Sequence, residues 1–156
     1  MSYDKENKVL SHLIDINQDA CESYKSALIR VRNPRLERSF SDLQRLHGAV
    51  VMDLTPRIRE NGGTPDTDGT LAGKTAKLVG EIMTKISSDV DETLVNHLEE
   101  AEDRCLHSMR DALEAPDMQV HTRALLVSEL GSLQRSHDYM KALKDSLRTG
   151  SYSRAA

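Results

Sequence analysis

Apolar side chains recur at intervals of three and four residues along four long segments of this chain, which is the spacing of one helix face. The segments span residues 4–31, 34–60, 88–116 and 117–148. The third opens with a Ser-Asp-Val-Asp capping pattern at Ser88, and the second begins with a proline suited to a first helical turn. The pattern therefore predicts an all-α domain of four long amphipathic helices.

The composition agrees with helices that pack through aliphatic side chains. Hydrophobic residues make up 38% of the chain, but aromatic residues only 3%, and there is no Trp. Such a composition is not typical of a β-sandwich. A chain of 156 residues is long enough to bury one core. We expect residues 1–150 to form a single domain and residues 151–156 to be a flexible tail.

The strongest break in the sequence lies between the second and third helical segments. Gly63, Pro65 and Gly69 interrupt any helix there. Residues 71–86 then form a shorter amphipathic stretch, interpreted as an extra helix on the bundle surface. Because the two outer hairpins have short turns while this connection is long, the sequence predicts a four-helix bundle with one long crossover that contains the extra helix.

Charge and motifs exclude several classes of function. The formal net charge of −4 gives no overall attraction to nucleic acid or to anionic lipid, and no segment is apolar enough for a membrane span or a secretion signal. We expect a cytoplasmic protein without nucleic-acid or membrane partners. Cys21 and Cys105 form no zinc-finger or disulfide pattern and are interpreted as core residues. No hydrolase-like arrangement or phosphate-binding loop is present, so the sequence favours a protein that is not an enzyme.

Two histidines stand where apolar core residues are expected. His47 lies on the apolar line of the second helix, and His137 lies between Leu133 and Met140 in the fourth. Residues 43–47 read Leu-Gln-Arg-Leu-His and residues 133–137 read Leu-Gln-Arg-Ser-His, which indicates an internal repeat of two helical hairpins. We predict that both histidines face inward. The four remaining histidines are expected on the solvated surface: His12, His97, His107 and His121.

The same repeat aligns Asn17 of the first helix with Glu102 of the third, so every long helix contributes one inward polar position. One Glu on the first helix of each hairpin and Glu-x-x-His on the second is the ligand arrangement of di-iron carboxylate bundles. Here both motifs read Gln-x-x-His, through Gln44 and Gln134, and Asn17 replaces one Glu. A neutral amide is a poor ligand for iron.

Two interpretations of these residues remain open. In the first, a single iron or zinc ion is held by His47, His137 and Glu102, with Gln44, Gln134, Asn17 and Glu99 around them. In the second, which we favour, a hydrogen-bonded layer in the core is formed by His47, Gln44, His137, Gln134, Asn17 and Glu102, with Glu102 as the main carboxylate. Such a layer rejects alternative helix alignments at some cost in stability.

Short motifs spread along the chain carry a family resemblance. They are Leu13-Ile14 followed by Glu22 and Tyr24, the crossover Gly62-Gly63-Thr64-Pro65 with Gly69-Thr70-Leu71-Ala72-Gly73, then Glu99, Ala101 and Glu102, and finally His137-Asp138. Over residues 10–147 the chain resembles a bacterial family of rubrerythrin-related, ferritin-like bundles known as domain of unknown function 2383. The resemblance implies a ferritin-like fold without an assigned activity. Related rubrerythrins and ferritins imply di-iron oxidation chemistry, against which the Gln44, Gln134 and Asn17 departures argue.

The functional expectation is a non-enzymatic bundle that acts as a homo-oligomer or by binding a protein partner, with residues 71–86 as a contact surface. This interpretation requires no cofactor. The alternative is a metal-binding oxidoreductase or metal-storage relative with a degenerate di-iron site, and it would bind iron or zinc.

Overall fold

The computed structural model describes residues 1–66 and 89–150, and these residues contain four long helices. Helix α1 spans Tyr3–Leu28, α2 spans Pro34–Glu60, α3 spans Val90–Glu114 and α4 spans Val120–Arg148. The predicted all-α four-helix bundle is confirmed. The extra helix predicted at 71–86 and the tail at 151–156 lie outside the described residues. No helix within the described residues is long and apolar enough to cross a membrane.

Contacts at the helix ends determine how the helices are arranged. Helix α2 ends beside the start of α1, where Asn61 Nδ2 donates to Glu6 Oε1 at 2.9 Å. Helix α3 begins beside the end of α1, where the Asp91 carboxylate accepts from the backbone N–H groups of Arg32 and Asn33 at 2.8 and 3.0 Å. Helices α2 and α3 therefore run parallel, so the end of α2 and the start of α3 lie at opposite ends of the bundle. This confirms the single long crossover.

Two helices begin later than the sequence pattern predicts. The N-cap of α3 is Asp89, whose side chain accepts from the Glu92 N–H at 3.1 Å, so the predicted opening at Ser88 is wrong by one residue. Helix α4 begins at Val120 rather than at Asp117, because Asp117 has a φ of 60°. That left-handed conformation is incompatible with a right-handed helix.

The end of α2 shows why the glycines of the crossover are there. Gly62 adopts a φ of 77°, which residues other than Gly rarely adopt. The N–H of Gly62 donates to Arg59 O and the N–H of Gly63 donates to Ile58 O, both at 2.9 Å. This is a Schellman ending, which satisfies carbonyls that the helix itself leaves free.

The core consists of two apolar clusters, one in each half of the bundle. The first half contains Leu10, Leu13, Ile14, Val50, Leu54, Ile58, Leu106, Met109 and Leu126 among others. The second contains Tyr24, Leu36, Phe40, Leu43, Leu94, Leu98, Met140 and Leu143 among others. Buried polar side chains lie along the chain between the two groups on every helix, so the core is divided by a polar layer.

Candidate functional site

The polar layer is formed by Asn17 and Tyr24 of α1, His47 of α2, Glu102 of α3 and Ser136 of α4, all of which are almost fully buried. Glu102 Oε1 accepts from the Tyr24 hydroxyl at 2.5 Å and lies 2.9 Å from His47 Nε2. His47 Nδ1 lies 2.7 Å from Asn17 Oδ1. The Tyr24 ring also stacks on the imidazole, with centroids 5.9 Å apart. One continuous network thus connects three helices.

The hydrogen bonds indicate where the protons of this network are. Asn17 Nδ2 donates to the Leu13 carbonyl at 2.8 Å, which leaves Asn17 Oδ1 as the acceptor facing His47. His47 Nδ1 is then placed to donate to Asn17 Oδ1, and Nε2 faces the Glu102 carboxylate. The geometry therefore describes a buried, hydrogen-bonded pair of His47 and Glu102.

Burial and hydrogen-bond partners oppose each other in their effect on the pKa of Glu102, but both raise the pKa of Tyr24. Burial raises the pKa of Glu102, but the hydrogen bond and charge of His47 and the Tyr24 hydroxyl outweigh it, so that the pKa of Glu102 lies below its usual value. Burial and the neighbouring Glu102 charge raise the pKa of Tyr24 well above its usual value. Glu102 is therefore ionised, and Tyr24 keeps the proton that it donates.

The second oxygen of Glu102 is less well satisfied. Neither Glu102 Oε2 nor Ser136 Oγ has a hydrogen-bond partner within the described residues. The Ser136 hydroxyl nevertheless lowers the pKa of Glu102. We interpret this as an electrostatic effect of a nearby hydroxyl dipole, because the geometry does not meet the criteria of a direct bond.

The prediction that His137 faces inward together with His47 is wrong. His137 is half-buried at the α3–α4 surface, with Nε2 2.7 Å from Asp103 Oδ1 and Nδ1 3.0 Å from Asp138 Oδ1. Ser136 takes the inward position instead. Both residues lie three or four positions from Leu133 and Met140, so apolar spacing alone does not distinguish them. The structure consequently does not bring the predicted ligands His47, Glu102 and His137 together.

Of the other residues predicted for this region, some lie in the layer and others lie outside it. Asn17 and Glu102 lie in the layer as predicted, but Gln44 Nε2 donates to the Cys21 carbonyl at 3.4 Å. Gln134 lies at the surface and donates to Asp138. Glu99 accepts from Lys144 Nζ at 2.9 Å. The predicted mutual hydrogen bonding of all these side chains is therefore wrong for both glutamines and for His137.

Sequence reasoning missed Tyr24 and Ser136 as members of the layer. Tyr24 is seven residues after Asn17 and so lies on the same helix face, which is the signal that could have identified it. The expectation for His97 was also wrong, because its side chain is buried and its Nε2 has no hydrogen-bond partner within the described residues. Burial is the main cause that lowers the pKa of His97.

The two cysteines behave as packing residues. Cys105 is fully buried and Cys21 is half-buried, and both are free thiols. Burial raises the pKa of Cys21 to about 11 and that of Cys105 well above its usual value. Since the thiolate is the reactive form, neither residue is activated for thiol chemistry.

A di-iron centre does not fit the residues of the polar layer. Such a centre needs several carboxylates that bridge and neutralise two ions. Glu102 is the one carboxylate in the layer as defined above, and its Oε1 is held by Tyr24 and His47. Gln44 and Gln134, at the positions of the missing carboxylates, point elsewhere. The layer is therefore built for internal pairing rather than for two iron ions.

Comparison with known proteins agrees with this architecture. No curated protein matches the sequence. A solved structure described as a dodecameric thioferritin, the bacterioferritin-related protein from Bacteroides fragilis, is similar with a TM-score of 0.76 and 15% identity, covering 96% of this chain and 90% of that one. This likeness shows a ferritin-like fold. The family described as domain of unknown function (DUF2383) matches residues 5–115, more than half of the chain, so the protein belongs to that family.

Proposed function

We propose that this protein is a non-enzymatic ferritin-like bundle in which internal pairing replaces the core metal centre, and that it acts by associating with copies of itself. The observation that carries the first part is the sharing of Glu102 Oε1 by Tyr24 and His47. A metal ion that bound Glu102 Oε1 would have to displace both the Tyr24 hydroxyl and the His47 ring from this oxygen.

The proposed contact surface is an outward-facing apolar stripe on α4, formed by Val120, Ala124 and Val127. These residues are spaced by four and three, so they share one helix face. Val120 is 80% exposed and Val127 is 56% exposed. Side chains of this size in a row favour burial against a partner. The description of the thioferritin as dodecameric supports a second copy of the chain as that partner.

Sedimentation velocity over a wide concentration range tests the association. We expect wild-type protein to form a discrete oligomer and the Val120→Glu/Val127→Glu variant to dissociate, because two carboxylates cannot be buried unpaired. Ile29→Glu is the matched control, since Ile29 is also 80% exposed but lies at the other end of the bundle. A wild-type protein that is monomeric at every concentration would refute the association.

The alternative function is that of a metal-binding oxidoreductase or metal-storage relative, and the contact between His47 and Glu102 is the observation in its favour. Elemental analysis decides between the two. Protein purified without chelator or metal-affinity steps is compared with a Glu102→Gln variant. Stoichiometric iron or zinc that is lost in the variant would place a metal in the core and overturn the proposed internal pairing.

A further inference from the structure

We propose that Glu99 and Asp103 of α3 and His137 of α4 form a site for one divalent transition-metal ion of the zinc class, outside the buried layer. One ligand atom from each of these residues lies within 4.8 Å of the other two. We call this group the α3–α4 cluster. It uses none of the atoms that hold the core network together.

The positions of the three residues on their helices explain why they meet. Glu99 and Asp103 are four residues apart and so lie on one face of α3. His137 reaches them from α4, with its Nε2 2.7 Å from Asp103 Oδ1. The side chains of Glu99 and His137 are only 12% and 14% exposed. The Asp103 side chain is 43% exposed, so the cluster is partly shielded from water but accessible to an ion from solvent.

A chain of hydrogen bonds aims His137 at the cluster. Its Nδ1 pairs with Asp138 Oδ1 at 3.0 Å, and Asp138 accepts from Gln134 Nε2 at 2.9 Å. Gln134 Oε1 in turn accepts from Arg110 Nη2 at 2.5 Å. Metal-binding histidines are commonly oriented in this way, with a carboxylate on the ring nitrogen that does not bind the metal. This second feature distinguishes the cluster from acids that are close by chance.

The ligand types point to the class of ion. One imidazole and two carboxylates form a three-residue set that zinc binds with a fourth position left open. Calcium and magnesium prefer oxygen ligands throughout, whereas an imidazole nitrogen favours a transition metal. Lys144 Nζ currently pairs with Glu99 Oε2, and because this lysine side chain is 40% exposed it can swing into solvent when a cation arrives. Lys144 therefore competes with the metal for Glu99.

Calorimetric titration of the tag-free, chelator-treated full chain with Zn²⁺ tests the site, and the visible absorption of Co²⁺ reports its ligand geometry. We expect one ion per chain. Asp103→Asn and His137→Gln should each weaken binding by at least about tenfold, and Gln134→Ala by about tenfold through loss of orientation. Lys144→Met should tighten binding, which a merely structural role of these residues would not produce.

The matched controls are Asp111→Asn and His107→Gln, which change exposed residues of the same helix and should leave the affinity unaltered. Circular dichroism confirms that each variant is folded. The proposal is overturned if wild-type protein binds no Zn²⁺, or if Asp103→Asn and His137→Gln bind it as tightly as wild type. Binding that disappears in Glu102→Gln but persists in Asp103→Asn would also overturn it, since the ion would then lie in the core.

Discussion

Three glutamates that are buried within the described residues have the same chemistry but different surroundings. Glu6 accepts from Thr122 Oγ1 at 2.5 Å and from further donors, and although burial raises its pKa, these donors bring it below the usual value. The pKa of Glu102 is lowered by His47 in the same manner. Burial and the neighbouring acid Asp53 instead raise the pKa of Glu129 to about 7. Partners, and not burial alone, decide whether a buried carboxyl is charged.

The Tyr24 hydroxyl should contribute measurably to stability because it donates to an ionised, buried carboxylate. We expect Tyr24→Phe to lower the free energy of unfolding by about 1.5–3 kcal/mol. Tyr139→Phe is the matched control, because its hydroxyl pairs with Ser39 at 2.7 Å but the residue is 47% exposed. Urea denaturation of both variants provides the comparison. Equal losses for the two would contradict the assignment of a charge-assisted bond in the core.

Glu129 should make stability depend on pH near neutrality. Its pKa is raised to about 7 in the folded protein from 4.5, so its stabilising contribution is fully present below about pH 4.5 and is lost as the pH rises through 7. The stability of Glu129→Gln relative to wild type should therefore be greater at pH 8 than at pH 5. Glu6→Gln should lose stability at neutral pH, since the pKa of Glu6 is lowered. A pH-independent difference between Glu129→Gln and wild type in urea denaturation would contradict this expectation.

At the scale of the elements, the four helices follow from apolar spacing, but their ends follow from individual backbone conformations. The Asp117 φ of 60° moves the start of α4 to Val120. The N–H of Gln119, just before that start, donates to Glu6 Oε2 at 2.9 Å. An acid from the first turn of α1 thus holds the beginning of the last helix. The two residues in contact are separated by most of the chain.

Replacement by alanine should change the stability in opposite directions at two glycines, one within α2 and one just after it. Gly48 lies within α2, and a Cβ there would meet nothing within 4 Å, so Gly48→Ala should stabilise the protein by about 0.5–1 kcal/mol. At Gly63 a Cβ would crowd Asn7 Nδ2, Ile58 Cγ2 at 3.0 Å and the Ile58 carbonyl at 3.2 Å. Gly63→Ala should destabilise it by about 1 kcal/mol or more. Thermal unfolding of both variants checks the pair, and a stabilising Gly63→Ala would show that the α2 ending tolerates rearrangement.

For the whole molecule, the polar layer matters because it divides the core between two apolar clusters. A buried polar pair adds little net stability, but it penalises any helix shift that would place His47 or Glu102 against apolar side chains. A bundle held in one register presents its outer surface reproducibly, which the proposed association through the α4 stripe requires. If association is coupled to folding, the thermal midpoint of the wild-type protein should rise with protein concentration, whereas that of Val120→Glu/Val127→Glu should not.

Apolar spacing and punctuation by glycine and proline were sufficient to predict the four long helices, the crossover and the inward positions of Asn17, His47 and Glu102. These properties are local, because a helix face is defined within a few turns of one segment. The choice of Ser136 over His137 was not predictable, since rotating α4 by one residue satisfies the same spacing. Packing against α2 and α3 made that choice. It removed one histidine from the core and placed it beside Glu99 and Asp103, because only the tertiary structure determines which side chains of separate helices meet.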